Sequence, residues 1–135
     1  MSFLLDTNVV FELTKARPDP KVISWLGSVP STDLFLSVIT LAEIRNGIEK
    51  KRITSPQDAA RLEAWFTTLA LRYRARILPF DEQSADQWGR VMALHPTVPV
   101  EDGQLVATAL QHGLTFATRN VRHIAQTVLA FVDPF

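Results

Sequence analysis

The sequence contains no cysteine, so it has neither a disulfide framework nor a thiolate zinc site, which suits a reducing cytoplasm. Excess charge is missing too. The 14 basic and 14 acidic side chains cancel, and no global field draws the chain toward nucleic acid or an anionic membrane. Any hold on RNA or DNA must then come from a local patch. No segment reaches the roughly 20 apolar residues of a membrane span. Met1-Ser2-Phe3-Leu4-Leu5-Asp6 lacks the basic and long apolar regions of a signal peptide. Neither a Gly-rich P-loop nor Gly-x-Ser-x-Gly occurs, which argues against nucleoside triphosphate hydrolysis and a serine nucleophile. The expectation is a soluble cytoplasmic protein with no membrane contact.

Hydrophobic residues make up 47% of the 135 positions, ample for one buried core, and a single domain over residues 1–135 is expected. Phe3-Leu4-Leu5 reads as a short strand, followed by a helix from Val9 to Lys15 that Arg17-Pro18 ends. Asp19-Pro20 has the form of an N-cap with proline at the first helical position. Leu34-Phe35-Leu36-Ser37 is a second strand, and Thr40-Leu41-Ala42-Glu43 has the capping-box pattern of a helix start. After Ser55-Pro56, Leu62, Trp65, Phe66, Leu69 and Tyr73 recur at helical spacing. Ile77-Leu78-Pro79 is a third strand, and Asp81 caps a helix carrying Trp88, Val91 and Met92. A helix from Asp102 to His112 stops at Gly113. Thr115 to Thr118 and Leu129 to Val132 complete the strands, with a short helix from Val121 to Thr127 between them. Strands separated by helices, without tight hairpins, predict an α/β fold whose parallel sheet is covered on both faces.

Asp6, Glu43 and Asp102 are distant in the chain, yet each falls just after a strand-like run or at the start of a helix-like one. Asn120 follows the last long strand in the same way. In an open parallel sheet those positions meet at the carboxyl ends of the strands, where ligands bind. Each acid also has an ordinary explanation: Asp6 as a cap, Glu43 as the partner of Thr40 in a capping box, Asp102 as a favourable charge at a helix start. Together they ask for more. Carboxylates about 5 Å apart repel by about 3 kcal/mol per pair at an effective dielectric of about 20, so a fold that gathers them needs a counter-ion. Oxygen ligands without cysteine or a histidine cluster point to Mg²⁺ or Mn²⁺ rather than zinc. The chemistry such an ion offers is hydrolysis of a phosphodiester by activated water.

Leu5-Asp6-Thr7-Asn8, Ser37 to Arg45, Glu101 to Ala109 and Ala117 to Arg122 resemble the characteristic segments of PIN-domain ribonucleases, in particular the VapC-type toxins of toxin–antitoxin pairs. The match runs through nearly the whole chain in order. It implies a PIN-like α/β/α sandwich with a central parallel sheet of about four to five strands. It also implies Mg²⁺- or Mn²⁺-dependent cleavage of RNA, a homodimer, and a cognate VapB-type antitoxin through which DNA is met only indirectly. By this resemblance Asp6, Glu43 and Asp102 are the metal-binding acids, and Thr7 and Thr118 are hydroxyls near the centre. Asn120 stands where many relatives have a fourth acid, and His123 stands where many have aspartate, which leaves the site poorer in negative charge. The rival reading is a non-catalytic PIN-like module that binds RNA or protein. A PIN nuclease acting on DNA or in housekeeping RNA processing is a further alternative.

Arg45 and Arg119 neighbour the acids and are the candidate phosphate contacts; Lys50, Lys51 and Arg52 read slightly better as a solvated helix face than as phosphate contacts. Arg72 and Arg76 share a helix face at the surface. Trp25, Trp65, Phe66 and Trp88 are core residues by their helical spacing, with base stacking or an antitoxin groove as the alternatives. Glu101 is expected to point away from Asp102, with assistance to a metal through water as the alternative.

Overall fold

Successive side chains of a strand point to opposite faces of its sheet, and in β1 (Phe3–Leu5) every position is apolar. Such a strand needs cover on both sides. The computed structural model describes residues 1–125, 127 and 129–135, and places β1 at the centre of a five-stranded parallel sheet. Its neighbours are β2 (Leu34–Ser37) and β4 (Thr115–Ala117), with Leu4 opposite both Phe35 and Phe116. β3 (Ile77–Leu78) extends the sheet beyond β2, and β5 (Phe131–Val132) extends it beyond β4, giving the order β3-β2-β1-β4-β5.

The alternation sorts the core into two layers. Leu5, Leu36 and Ala117 pack with Val9 and Val10 of α1 (Thr7–Glu12), Val22 of α2 (Pro20–Ser28), Ile44 and Ile48 of α3 (Val38–Thr54) and Leu69 of α4 (Pro56–Arg72). Leu4 and Phe116 pack on the other face, with Val91 of α5 (Glu82–Leu94), Leu105, Val106 and Ala109 of α6 (Val100–His112) and Ile124 of α7 (Val121–Ile124). Phe116 is the largest of the fully buried side chains. Phe116→Ala is therefore expected to cost about 3–5 kcal/mol in urea unfolding; a loss below about 1 kcal/mol would mean that this layer is not closely packed.

Several element ends differ from the sequence expectation, each for a local reason. α3 begins at Val38 because the Ser37 hydroxyl accepts from the Ile39 N–H at 3.0 Å. Thr40 thus lies inside the helix, fully buried, and does not cap it. A capping box does form at α5, between Asp81 and Ser84. α1 stops at Glu12, whose carboxylate accepts from the Asp19 N–H at 2.7 Å. α6 starts at Val100, two residues ahead of Asp102, and ends at Gly113, which takes the left-handed φ of 65°. β4 ends before Thr118, and β5 holds only Phe131–Val132. The helix expected as far as Thr127 covers Val121–Ile124; Gln126 lies outside the described residues. Among the described residues no helix is long and apolar enough to cross a membrane.

Candidate active site

From β1 the chain winds outward through β2 to β3, then returns to β4 on the other side of β1. The crevice beyond the strand ends at such a reversal is where open α/β sheets bind ligands. Asp6 follows β1, Ser37 ends β2, and Thr118 follows β4. Asp6 is only 4% exposed. Its Oδ1 accepts the Thr7 N–H at 2.7 Å, capping α1, while Oδ2 accepts the Thr118 hydroxyl at 2.6 Å and the Asn8 amide at 3.2 Å. Thr118 Oγ1 in turn accepts the Asn120 N–H at 2.9 Å. On the β2 side, the Thr7 hydroxyl donates to Glu43 Oε1 at 2.9 Å and lies 3.3 Å from the Thr40 hydroxyl. Thr7 thus joins two of the acids.

Burial raises the Asp6 carboxyl above its ordinary pKa, against the opposing bonds from Thr118 and Thr7, and the charge of Asp102 adds to the rise. Burial also raises Glu43 against its bond from Thr7, and Asp6, Glu101 and Asp102 push in the same upward direction. Asp6, Glu43 and Asp102 therefore share one electrostatic neighbourhood. Glu101 belongs to it as well. With Glu43, Asn46 and Gln104 it lines a hollow of about 240 Å³ between α3 and α6. Asp102 Oδ2 sits 3.1 Å from His123 Nδ1.

These donors suit a hard divalent cation in kind, being carboxylate, hydroxyl and amide oxygens with one imidazole beside them. They do not close around a point. Among the described residues no three acidic or histidine side chains converge as a ready metal cage. Glu43 is bonded to Thr7 and Asp102 to His123. A cation would have to draw them inward from these partners.

Residues 3–127 match the PIN domain family. The chain belongs to the PIN domain family. It is 35% identical to the toxin FitB of Neisseria gonorrhoeae, over 98% of this chain and 97% of that protein. It is also 35% identical to the VapC ribonuclease Y4jK of Sinorhizobium fredii, over 98% and 96%. The crystal structure of FitAcB from Neisseria gonorrhoeae superposes with a TM-score of 0.82 at 35% identity, over 98% of this chain and 97% of that one.

In this PIN domain the basic residues divide. The Arg45 guanidinium, expected at the substrate, is bound by Glu63 at 2.7 and 3.1 Å and Glu49 at 2.9 Å, and lies over the Phe66 ring. These bonds hold the Arg45 pKa above its ordinary value and pull that of Glu63 down to about 2. Arg52 joins the same cluster and Lys51 lies 3.9 Å from Asp58, so this stretch of α3 serves the α3–α4 contact. The Arg45 guanidinium is already taken up by two carboxylates, one of them from α4. Arg119 is exposed and lines a hollow of about 420 Å³ with Asn120, Val121, Arg122 and His123. Arg76 donates to the Leu34 carbonyl and stacks on Tyr73. Trp25 meets Phe3 edge-on and Trp65 stacks on Phe11, both partly buried against the core as expected, while Trp88 meets Phe80 outside the two core clusters.

One residue without a side chain lets two helices approach closely beside the site. A Cβ on Gly103 would come within 2.6 Å of Met92 Sδ and 3.3 Å of Trp88 Nε1, both on α5. The first turn of α6, which carries Asp102, can lie against α5 because that Cβ is missing.

Proposed function

We propose that this single PIN domain is the endoribonuclease toxin of a VapBC-type toxin–antitoxin pair, hydrolysing RNA phosphodiester bonds with water and Mg²⁺ or Mn²⁺. The observation that carries this reading is the shared acidic neighbourhood of Asp6, Glu43 and Asp102 at the sheet reversal, in a chain similar to a toxin and to a VapC ribonuclease. Asp6, Glu43 and Asp102 would hold the cation. A divalent ion so held supplies Lewis-acid activation of water and neutralises charge at phosphorus and the leaving oxygen. Thr118 orients Asp6 through Oδ2, and Thr7 orients Glu43. Asn120, exposed and making no side-chain cap for α7, offers a neutral amide to water or phosphate. Arg119 contacts the RNA backbone.

A toxin that cuts RNA must be neutralised in the cell that makes it, so the partner is a cognate VapB-type antitoxin. It would act on a toxin homodimer in the cytoplasm, with DNA reached only through the antitoxin. The purified full chain, freed of antitoxin, should cut single-stranded RNA with Mg²⁺ or Mn²⁺ and not with chelator. Equal cleavage in chelator would overturn the reading. One observation favours a second reading, a non-catalytic RNA-binding module: His123 Nδ1 lies 3.1 Å from Asp102 Oδ2 and engages one of the acids. That module would bind RNA in chelator and never cut it.

A further inference from the structure

We infer that Phe135 is a positioning residue that holds the Arg119 guanidinium at the rim of the acidic site, where Arg119 takes an RNA phosphate flanking the one cleaved. The inference rests on the nuclease reading above. It starts from charge. A chain with 14 basic and 14 acidic side chains has no net attraction for RNA, so phosphate affinity must come from cations that are not already neutralised. Arg45, Arg52 and Lys51 on α3 are paired with carboxylates, as are Lys15 and Arg90. Of the basic side chains that make no ion pair among the described residues, Arg119 and Arg122 are the two that line the hollow beside the acids. That hollow adjoins the acids at two points. Thr118, the residue before Arg119, bonds Asp6, and His123 on its wall bonds Asp102.

Arg119 is also held in place. Its Cζ lies 3.8 Å over the Phe135 ring, and its backbone N–H reaches Asn8 Oδ1 at 3.4 Å. Phe135 is itself partly buried against the core layer beneath α1 to α4, and its N–H donates to Asp133 at 3.0 Å. An arginine held by a carboxylate has its in-plane N–H donors occupied, as Arg45 does. An arginine held by a ring face keeps those donors for a phosphate, and loses less side-chain freedom when it binds one. The aromatic contact therefore orders the cation and leaves its N–H donors without a carboxylate partner, while its charge is felt by Glu12.

The test uses the full chain in EDTA and a fluorescein-labelled single-stranded RNA, with anisotropy read over a series of NaCl concentrations. Cleavage of the same RNA is then followed in Mn²⁺. Arg119→Ala should weaken binding about tenfold at low salt and reduce the slope of log K against log salt by about 0.7, one single-strand phosphate contact. Phe135→Ala and Phe135→Leu should each weaken binding about threefold to fivefold, Phe135→Tyr should restore it, and the loss in cleavage should fall on KM more than on kcat. Phe135→Leu keeps apolar packing without a π face, so it separates stacking from folding. Unchanged affinity and slope in Arg119→Ala would overturn the inference. So would a Phe135→Leu that binds like the parent, or Arg119→Ala losing only a co-purified protein partner. Binding that shifts as expected with no metal-dependent cleavage in any sample would sink the nuclease reading and leave the Arg119 contact standing.

Discussion

Asp6→Asn is expected to cut metal-dependent RNA cleavage about a thousandfold, since several kcal/mol of Lewis-acid stabilisation depend on the charge that holds the ion. The fold should survive. An asparagine at this position keeps an oxygen for the Thr7 N–H that caps α1, and its amide can donate to Thr118, with the long bond from the Asn8 amide as the one lost. The substitution also removes a buried charge that burial and Asp102 both disfavour. The metal-free variant should therefore melt no lower than the parent. Cleavage within about tenfold of the parent, in a preparation free of contaminating nuclease, would take Asp6 out of the chemistry. A melting temperature many degrees lower would mean that the loss of activity reports unfolding.

Mg²⁺ or Mn²⁺ should raise the melting temperature, and acid should act in the opposite sense with and without the ion. An ion at a hundredfold its Kd adds about 2.7 kcal/mol, or about 8 °C for a domain of this size. Asp6 and Glu43 have carboxyls raised above 3.8 and 4.5 respectively. A carboxyl raised on folding binds its proton more tightly in the native state. The stability it lends is fully present below the unfolded value and is lost as pH rises through the folded one. The metal-free protein should thus gain stability on acidification from neutral pH toward those values, and Asp6→Asn or Glu43→Gln should flatten that gain. With the ion bound the carboxylate form is preferred, and stability should rise with pH over the same window. Melting curves at several pH values, with EDTA or millimolar Mn²⁺, read both effects. Indifference to the ion would leave Asp6 as a helix cap and nothing more.

The sheet was legible because Phe3-Leu4-Leu5 and Leu34-Phe35-Leu36 are apolar at both alternating positions, which only a strand covered on two faces tolerates. Asp19 and Gly113 marked helix ends through local backbone chemistry. Side-chain pairings were harder to foresee. Arg45 looked like a substrate contact beside Glu43, and nothing nearby in the chain reveals that Glu63 on the next helix claims it. Thr40 and Glu43 had the spacing of a capping box, but the Ser37 hydroxyl starts the helix earlier, which frees Glu43 for Thr7. Neighbouring residues on a helix diverge by about 100°, which turns Glu101 away from Asp102. In the first turn of α6, which faces the crevice, that divergence still leaves it within reach of Glu43. His123 against Asp102 has no local signal at all.

The close seat of Gly103 against Met92 and Trp88 binds the drift of positions that take no part in chemistry. An alanine at 103 would meet the Met92 sulfur before anything else, so it should be tolerated best alongside a shorter residue at 92. Helix α5 contributes none of the three acids, yet it packs against the turn of α6 that carries Asp102. Natural or laboratory variation there should surface as changed ion affinity in a protein whose acids are all intact.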